Sequence, residues 1–147
     1  MIGCMSEPAR SSVGLARVLL VDDDPASRLA LQTVLRAGGY HVDTAASAAE
    51  AVEKLDDQEF ELVLTDLRME SPEAGYRVLA HARIVEYRPA AAVITTYQDG
   101  KARVASEGIE APYLIAPEDL PGLLSKVADL IGERASRRVA RTLRQAG

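Results

Sequence analysis

Residues 18–25 read Val-Leu-Leu-Val-Asp-Asp-Asp-Pro, a continuous apolar run followed by three carboxylates and a proline. Four successive apolar residues are typical of a strand buried on both faces of a parallel sheet. Asp24 followed by Pro25 is typical of a helix N-cap and the first residue of the helix. The stretch therefore predicts a buried strand, an acidic loop and a helix, in that order.

The rest of the chain repeats this alternation of strand and helix. Further strands are predicted at residues 40–45, 62–64, 91–96 and 113–115. Further helices are predicted after Ser47, over residues 73–87 and 101–107, and after Pro117. Ser47 is the predicted N-cap of its helix, with Glu50 completing a capping box. Five alternating strands and helices predict an α/β fold, a doubly wound five-stranded parallel sheet covered on both faces.

Apolar positions at helical spacing predict which helix faces are buried. In the first helix they include Leu29, Val34 and Leu35, and in the third Val78, Leu79, Ala82, Ile84 and Val85. In the last helix, the residues that follow the spacing closely are Leu120, Leu123, Leu124, Val127, Leu130 and Ile131.

Composition limits the class of protein. The chain has 147 residues, a formal net charge of −5 and one cysteine, which excludes an intrachain disulfide framework. No apolar run approaches the roughly 20 residues of a membrane helix. We expect a cytoplasmic protein with a flexible leader at 1–16, a domain at 17–132 and a basic C-terminal helical extension or tail at 133–147.

Charge is distributed unevenly between the domain and the tail. Residues 133–147 hold five arginines and one glutamate, for a net of +4, which leaves −9 on residues 1–132. Ile131, Ala135, Val139 and Leu143 continue the apolar stripe in steps of four. The tail is interpreted either as a solvated continuation of the last helix or as a basic amphipathic segment. Such a segment would dock an acidic partner, self-associate, or contact nucleic acid or membrane.

Carboxylates and hydroxyls follow the predicted central strands. Asp22 and Asp23 end the first strand, Asp66 ends the third, and Thr95 and Thr96 end the fourth. The carboxyl ends of neighbouring parallel strands meet at one edge of a sheet, where ligands bind in such folds. A cluster of oxygen ligands suits Mg²⁺ or Mn²⁺, and a metal beside a carboxylate and a hydroxyl can handle a phosphoryl group.

Four blocks resemble the receiver domain of bacterial two-component response regulators. They are VLLVDDDPASRLALQTVL (18–35), ELVLTDLRM (61–69), ITTYQD (94–99) and YLIAPED (113–119). The resemblance covers residues 17–132 in unbroken order. It implies a flavodoxin-like (βα)5 fold with strand order 2-1-3-4-5. It also implies a domain that accepts a phosphoryl group on one aspartate, with Mg²⁺, from a histidine kinase or phosphotransfer protein.

The resemblance also implies the roles of single residues. Asp66 matches the phosphoacceptor, and Asp22 and Asp23 match the acidic pair that holds the metal with it. Arg68 matches the position whose backbone carbonyl joins the metal shell.

Two further positions match the residues that change on activation. Thr95 matches the switch hydroxyl, with Thr96 as the fallback, and Tyr113 matches the switch aromatic. Apart from its own phosphorylation and dephosphorylation, such a domain is not an enzyme.

Several positions depart from the family pattern. Ala116 stands where the family has a lysine that pairs with the phosphoryl group, and Arg68 or Lys101 are the candidate substitute cations. Glu70 replaces a proline in a loop that is one residue longer than usual, and its side chain is predicted to face the rim of the site. The segment from 95 to 108 is about two residues shorter than usual.

Two hypotheses follow. One is a single-domain response regulator, phosphorylated on Asp66, that signals by contact with a downstream protein and has no DNA-binding domain in these residues. The other is a receiver-like interaction module not controlled by phosphorylation, which Ala116 favours. Self-association into a homodimer stays open in both. A phosphatase with Asp22-x-Asp24 is disfavoured because Ala26 replaces an expected threonine, and no glycine-rich loop supports dinucleotide binding.

Overall fold

The computed structural model describes residues 16–66, 69–71, 73–94, 113–115 and 122–146, with the backbone alone at 113–115 and 146. Five parallel strands form one sheet in the order β2-β1-β3-β4-β5. The strands are β1 Arg17–Val21, β2 His41–Ala45, β3 Leu62–Asp66, β4 Ala90–Ile94 and β5 Tyr113–Ile115. The described helices are α1 Pro25–Ala37, α2 Ala48–Asp57, α3 Ala74–Ile84 and α4 Leu123–Ala146. This architecture confirms the predicted doubly wound α/β fold and its strand order.

Two predicted segments fall outside the described residues. They are the helix at 101–107 and, apart from Ala16, the leader at 1–16. The predicted start of the last helix, with Leu120, also lies outside the described residues. The backbone carbonyl of Ala16 accepts a hydrogen bond from the His41 N–H at 3.1 Å, which joins the start of β1 to β2.

The central strand β1 contributes to the core on both faces of the sheet. Its residues 18–21 are at most 1% exposed. Leu20 lies in the apolar cluster that includes Leu35 of α1 and Val127 of α4. Leu19 lies in the opposite cluster, which includes Leu55 of α2. Neighbouring side chains of a strand point to opposite faces, so the unbroken apolar run in the sequence is explained by burial on both sides.

Both predicted helix N-caps, Asp24 and Ser47, are present. The Asp24 carboxylate accepts a hydrogen bond from the Ser27 N–H at 3.0 Å, and Pro25 is the first residue of α1. The Ser47 hydroxyl accepts the Glu50 N–H at 3.1 Å at the start of α2. Glu50 in turn accepts the Ala46 N–H, one residue before the cap, where the capping-box prediction placed the contact at Ser47 itself.

Two apolar residues assigned to buried helix faces are exposed, and those assignments were wrong. Leu29 is 63% exposed and Ile84 is 74% exposed. Each lies two positions from a buried residue of its own helix, Leu31 and Ala82 respectively, and two positions correspond to about 200° around a helix. The third helix also ends at Ile84, three residues earlier than predicted, because Val85 adopts an extended conformation.

The last helix runs without interruption from the domain into the basic tail. Leu123, Val127 and Leu130 are buried against the sheet. One turn later Arg134 is only 5% exposed, and its guanidinium donates to the backbone carbonyls of Arg88 at 3.0 Å and Tyr87 at 2.8 Å. Arg134 therefore anchors the helix to the turn between α3 and β4. None of the described helices is long and apolar enough to cross a membrane.

Replacing Arg134 by alanine is expected to lower the free energy of unfolding by about 2–3 kcal/mol, because two carbonyls lose a charged donor in a shielded position. Arg137→Ala, one turn further on and exposed, is the matched control and is expected to change it by less than about 0.5 kcal/mol. Chemical denaturation at a fixed protein concentration measures both. Equal effects of the two substitutions would show that Arg134 is not an anchor.

Candidate metal and phosphoacceptor site

The carboxyl ends of β1 and β3 bring together Asp22, Asp23 and Asp66. One carboxylate oxygen from each lies within 4.8 Å of the other two. The pairing of β1 with β3 explains this proximity. Val21 lies opposite Thr65, and the residue after each of them is an aspartate. The Asp22 N–H also donates to the Ala45 carbonyl at 3.0 Å, which fixes the loop after β1 against β2. Among the described residues this is the group whose carboxylates could hold a metal ion.

The three carboxylates of this acidic triad (Asp22, Asp23, Asp66) differ in burial. Asp22 is 6% exposed, Asp23 is exposed and Asp66 is intermediate. Burial raises the pKa of Asp22, and the charges of Asp23 and Asp24 raise it further. A hydrogen bond from the Asp24 N–H at 3.0 Å opposes this rise. Hard oxygen ligands in a partly open cluster fit Mg²⁺ or Mn²⁺, which would relieve the repulsion.

Asp24 has a different task from its two neighbours. Its carboxylate accepts hydrogen bonds at the start of α1, and these bonds from Ser27 lower the pKa of Asp24. The third aspartate of the run therefore serves as a helix cap, as the sequence predicts, and lies outside the group of carboxylates that converge.

A cation that was not predicted from the sequence lies beside the triad. Arg28 donates from Nη1 to the backbone carbonyl of Asp22 at 2.8 Å, and its charge acts to lower the pKa of Asp22. One signal could have identified it. Arg28 lies in the first turn of α1, where a cation is unfavourable beside the positive end of the helix dipole unless acidic groups lie nearby.

Glu70 ties the loop after Asp66 to the start of α2. Its carboxylate accepts the Ala48 N–H at 3.0 Å, in the first turn of that helix. This contact satisfies one of the free N–H groups at the helix start and places a negative charge where the helix dipole favours it. Glu70 therefore has a structural partner across the loop.

The remaining predicted site residues fall outside the described side chains. They are Arg68, Thr95, Thr96, Tyr113 and Ala116, and the candidate substitute cation Lys101. Of these, only the backbone of Tyr113 is described, paired with Ala92 of β4.

Neutralising one member of the triad is expected to stabilise the metal-free protein. Asp22→Asn retains an oxygen for the Asp24 N–H and removes one of three mutually repelling charges. We expect the free energy of unfolding in the presence of a chelator to rise by roughly 1–3 kcal/mol. Thermal denaturation tests this, with Asp129→Asn on the exposed face of α4 as control. A loss of stability for Asp22→Asn would contradict the account of repulsion.

The strand order of the sheet and the acidic triad at its carboxyl edge are those that the resemblance to a receiver domain implies. The profile of the response regulator receiver domain matches residues 18–127. The chain therefore belongs to the response regulator receiver domain family.

Individual relatives agree with this membership. The transcriptional regulatory protein ZraR of Escherichia coli K12 is 34% identical over 107 residues, which are 72% of this chain and 24% of ZraR. The two-component response regulator ARR11 of Arabidopsis thaliana is 31% identical over 118 residues, 77% of this chain and 22% of ARR11. The chain thus spans about a quarter of the length of these relatives.

Solved structures show the same fold. A CheY-like receiver domain from Methanospirillum hungatei has a TM-score of 0.68 and 26% identity, covering 84% of this chain and 99% of its own. The response regulator TrrA of Thermotoga maritima, solved in complex with Mg²⁺ and BeF, has a TM-score of 0.67 and 28% identity. That match covers 78% of this chain and 98% of TrrA.

Proposed function

We propose that this receiver domain is a phosphoacceptor of two-component signalling, modified on Asp66 in the presence of Mg²⁺ or Mn²⁺. The observation that carries the proposal is the convergence of Asp22, Asp23 and Asp66 within 4.8 Å. We assign the leader to residues 1–16, the domain to residues 17–132, and the basic C-terminal helical extension or tail to residues 133–147.

In this proposal Asp66 is the nucleophile, and the residues around it hold the metal ion or position its ligands. An oxygen of the Asp66 carboxylate attacks the phosphorus of a phosphohistidine or an acyl phosphate, so a P–O bond to Asp66 forms as the bond to the donor breaks. Asp22 and Asp23, with Asp66 and the Arg68 carbonyl, would hold the metal. When bound, the ion neutralises the charge that collects on the phosphoryl oxygens. Arg28 holds the Asp22 backbone in place through its hydrogen bond to the carbonyl.

The signal would leave the domain by protein contact. The donor would be a histidine kinase or a phosphotransfer protein, and the hydroxyl of Thr95, or of Thr96, with Tyr113 would report phosphorylation to a downstream protein target. One observation favours a second candidate function, an interaction module not controlled by phosphorylation. It is the alanine at position 116, where the resemblance implies a lysine.

Mass measurement distinguishes the two functions. The protein is incubated with a small acyl phosphate and Mg²⁺, and intact mass is followed for the parent chain and for Asp66→Asn. We expect the mass of one phosphoryl group on the parent chain alone, and none when a chelator replaces Mg²⁺. No added mass on the parent, under conditions where calorimetry shows Mg²⁺ bound, would favour the module without phosphorylation.

A further inference from the structure

The part of α4 beyond Arg134 presents a face that its own domain does not cover. Val139 and Leu143, one helical turn apart, are 58% and 65% exposed. Basic residues surround them, namely Arg137, Arg138, Arg141 and Arg144. The helix is continuous to Ala146, so this basic extension (residues 135–146) cannot fold back on its own domain without breaking the helix.

An acidic hollow lies at the ends of α2 and α3. It is an open depression of about 490 Å³. Four exposed carboxylates line it, those of Asp56, Asp57, Glu59 and Glu86. His81 also lines the hollow, and its Nε2 lies 2.7 Å from the Asp56 carboxylate. Ile84, which is 74% exposed, is an apolar residue of the same lining. The hollow therefore combines negative charge with one exposed apolar side chain. The basic extension combines positive charge with two exposed apolar side chains.

We propose that the basic extension of one chain binds in the acidic hollow of a second copy. The four arginines of the extension complement the negative charge of the hollow, where Asp57, Glu59 and Glu86 add to the Asp56 carboxylate that contacts His81. Charge complementarity of this kind selects a partner and its orientation. The apolar residues match as well. Val139, Leu143 and Ile84 are three of the four large apolar side chains that are exposed in the described part of the chain, and Leu29 is the fourth.

The starting point of the extension permits a closed dimer. Arg134 donates to the carbonyls of Tyr87 and Arg88, and Tyr87 itself lines the hollow. Each extension therefore leaves its domain beside the domain's own hollow. A two-fold axis can then place each extension in the hollow of the other copy, so that the contact is made twice and the assembly closes.

This contact would leave the acidic triad accessible. Glu59 precedes β3 and Tyr87 precedes β4, so the hollow lies at the amino ends of the strands. Asp22 and Asp66 lie at the carboxyl ends. Self-association and phosphorylation of Asp66 can therefore be tested separately, and failure of either leaves the other unaffected.

Sedimentation velocity on the full chain tests the dimer. At low salt we expect a dimer that forms with rising protein concentration and weakens as salt screens the charges. We expect the double substitution Arg137→Glu with Arg141→Glu to weaken self-association at least tenfold, and Asp57→Arg with Glu86→Arg to do the same, because each places like charges opposite one another. Leu29→Glu, an equally exposed apolar residue outside both surfaces, is expected to have no effect.

Mixing the two double variants is the decisive step. The reversed extension of one variant then meets the reversed hollow of the other, and the unchanged extension meets the unchanged hollow. We expect a heterodimer of near-parent stability, although each variant alone is monomeric. The proposal is overturned by a parent chain that stays monomeric at low salt or by a mixture that does not associate. It is also overturned if reversal of the extension abolishes binding to duplex DNA or anionic vesicles but not self-association.

Discussion

Introducing a lysine at position 116 is expected to accelerate phosphorylation of this domain by a small acyl phosphate by roughly 10- to 100-fold. A preorganised cation beside the phosphoryl oxygens stabilises the charge of the transition state, and loss of one such donor typically costs 10²–10³ in rate. The resemblance places that cation at residue 116, where this chain has alanine. The time course of added phosphoryl mass, with Mg²⁺ present, measures the change for Ala116→Lys.

The control for this substitution is Ala116→Met, which supplies a long side chain without charge. We expect Ala116→Met to leave the rate within a few-fold of the parent chain. NMR of Tyr113 reports whether the added lysine also couples phosphorylation to this residue, the proposed switch aromatic. If Ala116→Lys changes neither the rate nor the Tyr113 signals, the missing lysine is not what limits this receiver.

The substitution Asp23→Asn is expected to reduce Mg²⁺ affinity at least about a hundredfold, because a neutral amide replaces an anionic oxygen of the proposed metal shell. The chain offers a matched control in the next residue. Asp24 carries the same charge, but its carboxylate is engaged at the start of α1 by Ser27, and asparagine is an equally good N-cap. Isothermal titration calorimetry of Asp23→Asn and Asp24→Asn separates ligation from general charge.

We expect Asp24→Asn to keep Mg²⁺ affinity within a few-fold of the parent chain. Equal losses in both variants would mean that the aspartates act only through their summed negative field. That result would remove Asp23 from the proposed metal shell.

The elements that define this fold could be predicted because their signals are local. The apolar run of β1 and the Asp24-Pro25 start of α1 depend on neighbouring residues only. The convergence of Asp22 with Asp66 could also be predicted, because parallel strands align their carboxyl ends. These predictions of strand, helix start and carboxylate cluster succeeded because none of them required knowledge of contacts between distant side chains.

The predictions that failed, and the contacts that were missed, depend on distant partners. Leu29 and Ile84 fit an apolar pattern in sequence, but which side of a helix meets the sheet is fixed by tertiary packing. Arg28 and Arg134 both donate to backbone carbonyls, those of Asp22 and of Tyr87 and Arg88. Every residue has a backbone carbonyl, so the sequence does not indicate which carbonyl will accept a hydrogen bond. For this reason Arg134 could be read only as one more arginine of a solvated tail.

The proposed function depends on Asp66 being the residue that carries the phosphoryl group, and chemical trapping tests this directly. The protein is treated with an acyl phosphate and Mg²⁺, reduced with borohydride and digested, and the peptides are sequenced by mass spectrometry. Reduction converts an aspartyl phosphate to homoserine, so we expect homoserine at position 66 and aspartate at positions 22 and 23. Homoserine at another aspartate, with position 66 unmodified, would contradict the proposed function.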